Sequence, residues 1–242
     1  MTQCSSRLRP ALAGVAALAC LAVPAGASTL DPVGDFLSIY VGPQAGDLDV
    51  VRVAARFAGP GKVRLTADHD GPIGATAGAA YVWGIDRGQG TERLAALTPS
   101  VGAGIPFDAV AVLFPDGTGF VADLVNGTPP ATIDGADISI DGARISAVLS
   151  KALLPSTGFA FRDYAYNLWP RHAPGGVNGS DNTQISDLAP DAGTITAVPV
   201  PAALGLQLVG LTLLGWAAGR RRAALRRAAG MRRTDYPTPS GA

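Results

Sequence analysis

Carboxylates are the side chains in this sequence best placed to do chemistry. Gly46-Asp47-Leu48-Asp49 sets two acids two positions apart, on one face of an extended segment and at the mouth of a predicted strand. Asp86 and Asp108 each flank an apolar run that reads as a buried strand. Calcium takes roughly six to eight hard oxygens, and loop carboxylates with backbone carbonyls at a sheet edge supply them. Asp47, Asp49, Asp86 and Asp108 are therefore the candidate calcium ligands, and no other cofactor is expected. The competing role for these residues is turn formation, because Asp and Asn side chains bond backbone N–H groups two residues on. Asn178-Gly179-Ser180-Asp181-Asn182 is a second oxygen-rich stretch with the same two readings.

Catalysis has less to draw on. His69 lies between Asp68 and Asp70, but strand alternation turns its imidazole away from both carboxylates, and it reads as a solvated strand end before Gly71-Pro72. His172 follows Arg171 without a local partner. There is no G-x-S-x-G elbow, H-E-x-x-H helix or Walker loop, and Gly88-Gln89-Gly90 has Arg93 where a dinucleotide fingerprint needs its third glycine. The expectation is a protein that is not an enzyme. The alternative is a hydrolase of extracellular polysaccharide, whose two carboxyls would have to face each other across a cleft at about 5 Å. Among the aromatic residues, Tyr81 and Trp83 alternate with Ile85 and read as core. Trp169, next to Pro170, reads as a surface ring able to stack on a sugar and is the candidate ligand-binding residue.

The elements that would position these groups are short strands. In residues 51–57, Val51, Val53, Ala55 and Phe57 alternate with Arg52 and Arg56; after the Gly59-Pro60-Gly61 turn, Val63, Leu65 and Ala67 continue the pattern inward. Residues 80–85 and 109–114 are apolar on both faces, and Pro115-Asp116-Gly117 turns the second into residues 120–124. Residues 138–140 and 143–149 form a hairpin over Asp141-Gly142, and residues 164–169 are the last predicted strand. Glycine and proline recur too often for long helices, and residues 150–154 allow one helical turn. This pattern predicts an all-β fold: a single antiparallel β-sandwich over residues 28–187, followed by a spacer over 188–201.

Both ends of the chain are apolar. Arg7 and Arg9 precede an apolar run over residues 11–23 and the small-residue site Ala25-Gly26-Ala27, so residues 1–27 read as a secretory signal peptide. Cys4 and Cys20 both lie within it, which leaves the mature chain no disulfide and no thiolate site. Residues 202–219 carry no formal charge and as a helix would span about 27 Å, the thickness of a bilayer's hydrocarbon layer. Seven arginines lie in the tail over 220–242 and would hold it in the cytoplasm. Between Ser28 and Val198, eighteen Asp and Glu stand against ten Lys and Arg, an excess of eight negative charges hidden by the neutral total. An acidic exported domain argues against nucleic acid as a partner.

Val198-Pro199-Val200-Pro201-Ala202, the apolar run and Arg220-Arg221-Arg222 together resemble the PEP-CTERM sorting signal in its VPLPA variant, with Val200 where the common form has Glu. The resemblance implies a single membrane span that an exosortase recognises and processes, and delivery to the cell surface or extracellular matrix. A plain single-span anchor for a structural protein is the simpler alternative. The strand order over residues 31–170 loosely resembles the jelly-roll sandwiches of family 9 carbohydrate-binding modules and DOMON-type domains, through Tyr81-Val82-Trp83-Gly84-Ile85-Asp86, Phe107-Asp108 and Ile140-Asp141-Gly142-Ala143-Arg144. That resemblance implies an interaction domain with extracellular polysaccharide as its partner.

Overall fold

Side-chain alternation decides which face each strand buries, and two sheets follow from it. The computed structural model describes residues 28–199. The predicted signal peptide, the remainder of the sorting motif from Val200, the apolar run and Arg220, Arg221 and Arg222 lie outside the described residues. The described residues form eleven strands: β1 (Ser28–Leu30), β2 (Val50–Phe57), β3 (Lys62–His69), β4 (Ala79–Asp86), β5 (Ala109–Leu113), β6 (Gly119–Asp123), β7 (Ala131–Thr132), β8 (Ile138–Asp141), β9 (Arg144–Ser150), β10 (Ala165–His172) and β11 (Ile195–Thr196). They make a five-stranded sheet in the order β1-β2-β3-β9-β8 and a six-stranded sheet in the order β11-β10-β4-β5-β6-β7. Every pairing between these strands is antiparallel. Among the described residues helix is confined to short 3-10 turns, and no helix is long and apolar enough to cross a membrane.

The β2–β3 hairpin follows the alternation read from the sequence. Val53 and Ala55 on β2 and Val63, Leu65 and Ala67 on β3 are fully buried, while Arg56 and Arg64 pair across the outer face. The β8–β9 hairpin turns through Gly142, whose φ of 58° is open to glycine at no steric cost. One core lies between the sheets, built from these residues and from Tyr81, Trp83, Ile85, Tyr166 and Leu168 on the six-stranded sheet. A second lies on that sheet's outer face, where Ala80, Val82, Val112 and Trp169 are covered by Leu94, Ile105 and Phe107 from one loop and Ile185 and Leu188 from another. Strand β4 is consequently buried along its whole length, as its two-sided apolar pattern requires.

Three expectations need correction. Residues 188–199 are no free spacer: β11 pairs with β10, Val198 bridges Arg56 on β2, and Leu188, Ala189, Ile195 and Ala197 are buried. His69 is no solvated strand end. It continues the inward parity of Val63, Leu65 and Ala67, is 4% exposed, and meets Tyr81 edge-on at 4.9 Å. Trp169 is 1% exposed, not a surface ring, because β10 runs on through Pro170 to His172 and its outward face is roofed by the two loops.

Candidate functional site

The four acids singled out from the sequence are not gathered into one site. Asp47, in a 3-10 turn before β2, accepts from the backbone N–H of Thr76 at 2.8 Å and from its hydroxyl at 2.6 Å. Asp86 caps the turn after β4, accepting from the N–H groups of Gly88 (2.9 Å) and Gly90 (3.0 Å). Asp108 is wholly buried and takes the Nε–H of Arg87 at 2.8 Å, the N–H of Gln89 at 3.1 Å and the Thr157 hydroxyl. Arg87 also reaches Asp123 at 3.1 Å, and that contact holds the Asp123 carboxyl well below the usual carboxylate range. Arg87, Asp108 and Asp123 thus form a closed ion network, and donors already occupy the carboxylates that a cation would need.

Asp49 is different. Its Oδ2 accepts from the N–H of Gly34 at 2.8 Å, while its Oδ1 is enclosed and has no donor. It stands beside a group that sequence spacing did not reveal: Asp31, Asp35, Asp187 and Asp191, each offering an oxygen, all within 4.8 Å of one another. The group lies at the seam where the β1 edge of one sheet faces the β10–β11 edge of the other. Asp31 follows β1 and donates its N–H to Val51 on β2 at 3.1 Å. Pro32-Val33-Gly34 then turns the chain so that Asp35 returns toward it, with Gly34 at φ 82°. From the other sheet, Asp187 is held by the N–H groups of Val50 (2.9 Å) and Leu188 (2.6 Å). The Asp191 loop is held by Asn167 of β10, whose amide donates to Pro190 (2.8 Å) and Gly193 (3.0 Å). A usable signal did exist: Asp31-Pro32-Val33-Gly34-Asp35 and Asp187-Leu188-Ala189-Pro190-Asp191 share the spacing of acid, three residues, acid, each with one proline inside.

The electrostatics of the seam follow from burial. Asp31 is pushed up to about 8, first by loss of water and then by Asp187, Asp191, Asp35 and Asp49. Burial likewise raises Asp187 to about 7, against the opposing hydrogen bond from Val50. Asp49 and Asp191 are also raised, burial being the larger cause for each. None of the ion pairs among the described residues involves these acids.

A second feature is a cleft of about 540 Å³ on the outer face of the six-stranded sheet. Val82, Val110 and Val112 with Phe107 and Trp169 make its apolar base, the two rings 5.0 Å apart. Trp169 lies over Gly84, where a Cβ would come within 2.4 Å of the indole. Thr91, Glu92, Arg93 and Ser180 supply polar groups to its walls, beside the apolar Ala96, Leu97 and Val177. Arg171, 2% exposed, lines the wall and donates to the carbonyls of Asn178 (2.9 Å) and Asp181 (2.8 Å) with no carboxylate partner. The size is that of a small-molecule site. No protein-family model matches the chain, and no curated protein matches it.

Proposed function

We infer that this chain is an exported surface or matrix protein whose jelly-roll-like sandwich binds a short segment of extracellular polysaccharide in the cleft beside Trp169. The observation that carries the binding reading is the cleft itself: an apolar base between two loops, with hydroxyl, carboxylate and guanidinium groups on its walls, the mixture that a sugar's apolar faces and polar edges call for. Its rim holds one carboxylate, Glu92, where a glycosidase of the two-carboxylate kind needs a facing pair, so binding is favoured over hydrolysis. The segregation of charge supports export: acids prevail between Ser28 and Val198, and arginines follow the apolar run. In this reading residues 1–27 are removed and residues 202–219 span the membrane. An exosortase reads Val198-Pro199-Val200-Pro201-Ala202 while Arg220, Arg221 and Arg222 hold the register from inside.

The test is retention of the full chain on immobilised extracellular polysaccharide, compared with Ala96→Trp. Ala96 is an exposed cleft residue that belongs to neither core, so the substitution fills the opening while every core side chain stays in place. Retention lost in the variant, with an unchanged circular dichroism spectrum, supports the reading; equal retention of both proteins contradicts it.

A further inference from the structure

We propose that Asp31, Asp35, Asp187 and Asp191 form a calcium site that clamps the first loop of the domain to the last across the seam between the sheets. The inference is independent of the saccharide reading, since none of these four acids lines the cleft.

Geometry is the first support. Oxygens on opposite sides of one calcium ion, each at about 2.3–2.6 Å, are about 5 Å apart. The four carboxylates offer oxygens within 4.8 Å of one another, so one ion could touch all four with little rearrangement of the loops. The second support is independent of the clustering. Asp31 is only 9% exposed, and its Oδ2 is enclosed with no donor. Carboxylates taken out of water are paired, hydrogen-bonded or bound to a metal, and this oxygen has neither of the first two. Asp49 repeats the pattern at the flank, with Oδ1 enclosed and unpartnered and Oδ2 fixing the Gly34 turn.

The donor set selects the ion. All four ligands are carboxylates, with no histidine or cysteine among them, which suits a hard cation over zinc or copper. Four carboxylates can give between four and eight oxygens as they bind through one atom or two, a range calcium accepts. Magnesium demands a strict octahedron at shorter distances and gives up its waters reluctantly. The supporting bonds are already made: Val50 and Leu188 orient Asp187, Gly34 is tied to Asp49, and Asn167 holds the loop that carries Asp191. Bridging segments from the two ends of the domain, a bound ion would close the sandwich along the edge where the sheets meet.

The test uses the full chain, purified in detergent and stripped with EDTA, then dialysed against radiolabelled calcium. One ion per chain is expected, displaced little by a tenfold excess of magnesium. Asp35→Asn with Asp191→Asn removes the negative charge and bidentate capacity of the half-buried and the exposed ligand and should weaken binding at least tenfold while the circular dichroism spectrum stays that of wild type. Asp116→Asn with Asp134→Asn, exposed turn acids elsewhere, should bind as wild type does. Asp191→Asn alone provides a milder variant if the double one does not fold, with a weakening of severalfold expected. No bound ion at millimolar calcium, undiminished binding in the Asp35 and Asp191 variants, or equal preference for magnesium would each overturn the proposal.

Discussion

At the far end of β4, Asp108 and Asp123 close around Arg87; at the seam between the sheets, Asp31, Asp35, Asp187 and Asp191 close around no side-chain cation among the described residues. Both places take carboxylates out of water: Asp108 at the first, Asp31 and Asp187 at the second. In the first, the guanidinium and the Gln89 and Thr157 donors satisfy Asp108, and the contact with Arg87 depresses the Asp123 pKa. In the second, burial and mutual repulsion raise Asp31 and Asp187, and oxygens of Asp31 and Asp35 are left without donors. The difference separates a network satisfied by the fold from one whose acids find no cation among the described residues. Removing the partner of a buried charge is strongly destabilising, whereas a buried carboxylate without a partner is a candidate ligand site.

Removing a charge should therefore have opposite effects at the two places. Arg87→Met leaves the wholly buried Asp108 and the half-buried Asp123 without their cation and is expected to cost about 3–5 kcal/mol in urea unfolding. Asp35→Asn with Asp191→Asn, measured in EDTA, should cost nothing or stabilise the protein, because it relieves repulsion among like charges. Comparable losses in the two variants would erase the distinction.

A buried neutral group offers a pH test of the same reasoning. Burial pulls the His69 pKa down to about 4, from an ordinary 6.5. Between those values the unfolded chain binds the proton more readily than the folded one. Stability from this residue is thus fully present above about pH 6.5 and declines as pH falls toward 4, by up to roughly 3 kcal/mol. The unfolding free energy of wild type relative to His69→Phe should fall over that window; a flat difference would place the imidazole in water.

The smallest effect belongs to the exposed counterpart of the Arg87 network. Asp68 on the outer face of the five-stranded sheet takes Arg52 at 2.6 Å and Arg144 at 2.5 Å, but both arginines are nearly half exposed. Arg144→Ala should cost less than about 1 kcal/mol, and less again at high salt. A loss near that of Arg87→Met would show that burial is not what separates the two.

Period-two alternation made the hairpins and the buried β4 and β5 legible in the sequence, because each strand's face is set by its own residues. The same rule places His69 inside, two steps beyond Ala67, although the adjacent Gly71-Pro72 carries the signal of a solvated turn. Residues 188–199 were obscured by composition. Their Gly, Pro and Thr suggest a linker, whereas Ile195 and Ala197 alternate inward and the segment pairs with β10 and β2. The acidic seam was least legible, since its members come from loops at opposite ends of the domain. Only tertiary closure brings Asp187 against Val50 and Asp31 against Asp191. Asp47, Asp86 and Asp108 drew notice by proximity to strands, and each proved to be occupied by local donors or by Arg87.

The most direct test of the seam is the melting temperature of the full chain at pH 7.5, measured in EDTA and again with 1 mM free calcium. Calcium should raise it by several degrees in wild type and in Asp116→Asn with Asp134→Asn, and leave it unchanged in Asp35→Asn with Asp191→Asn. Coincident melting curves for wild type with and without calcium would contradict a calcium site at the seam.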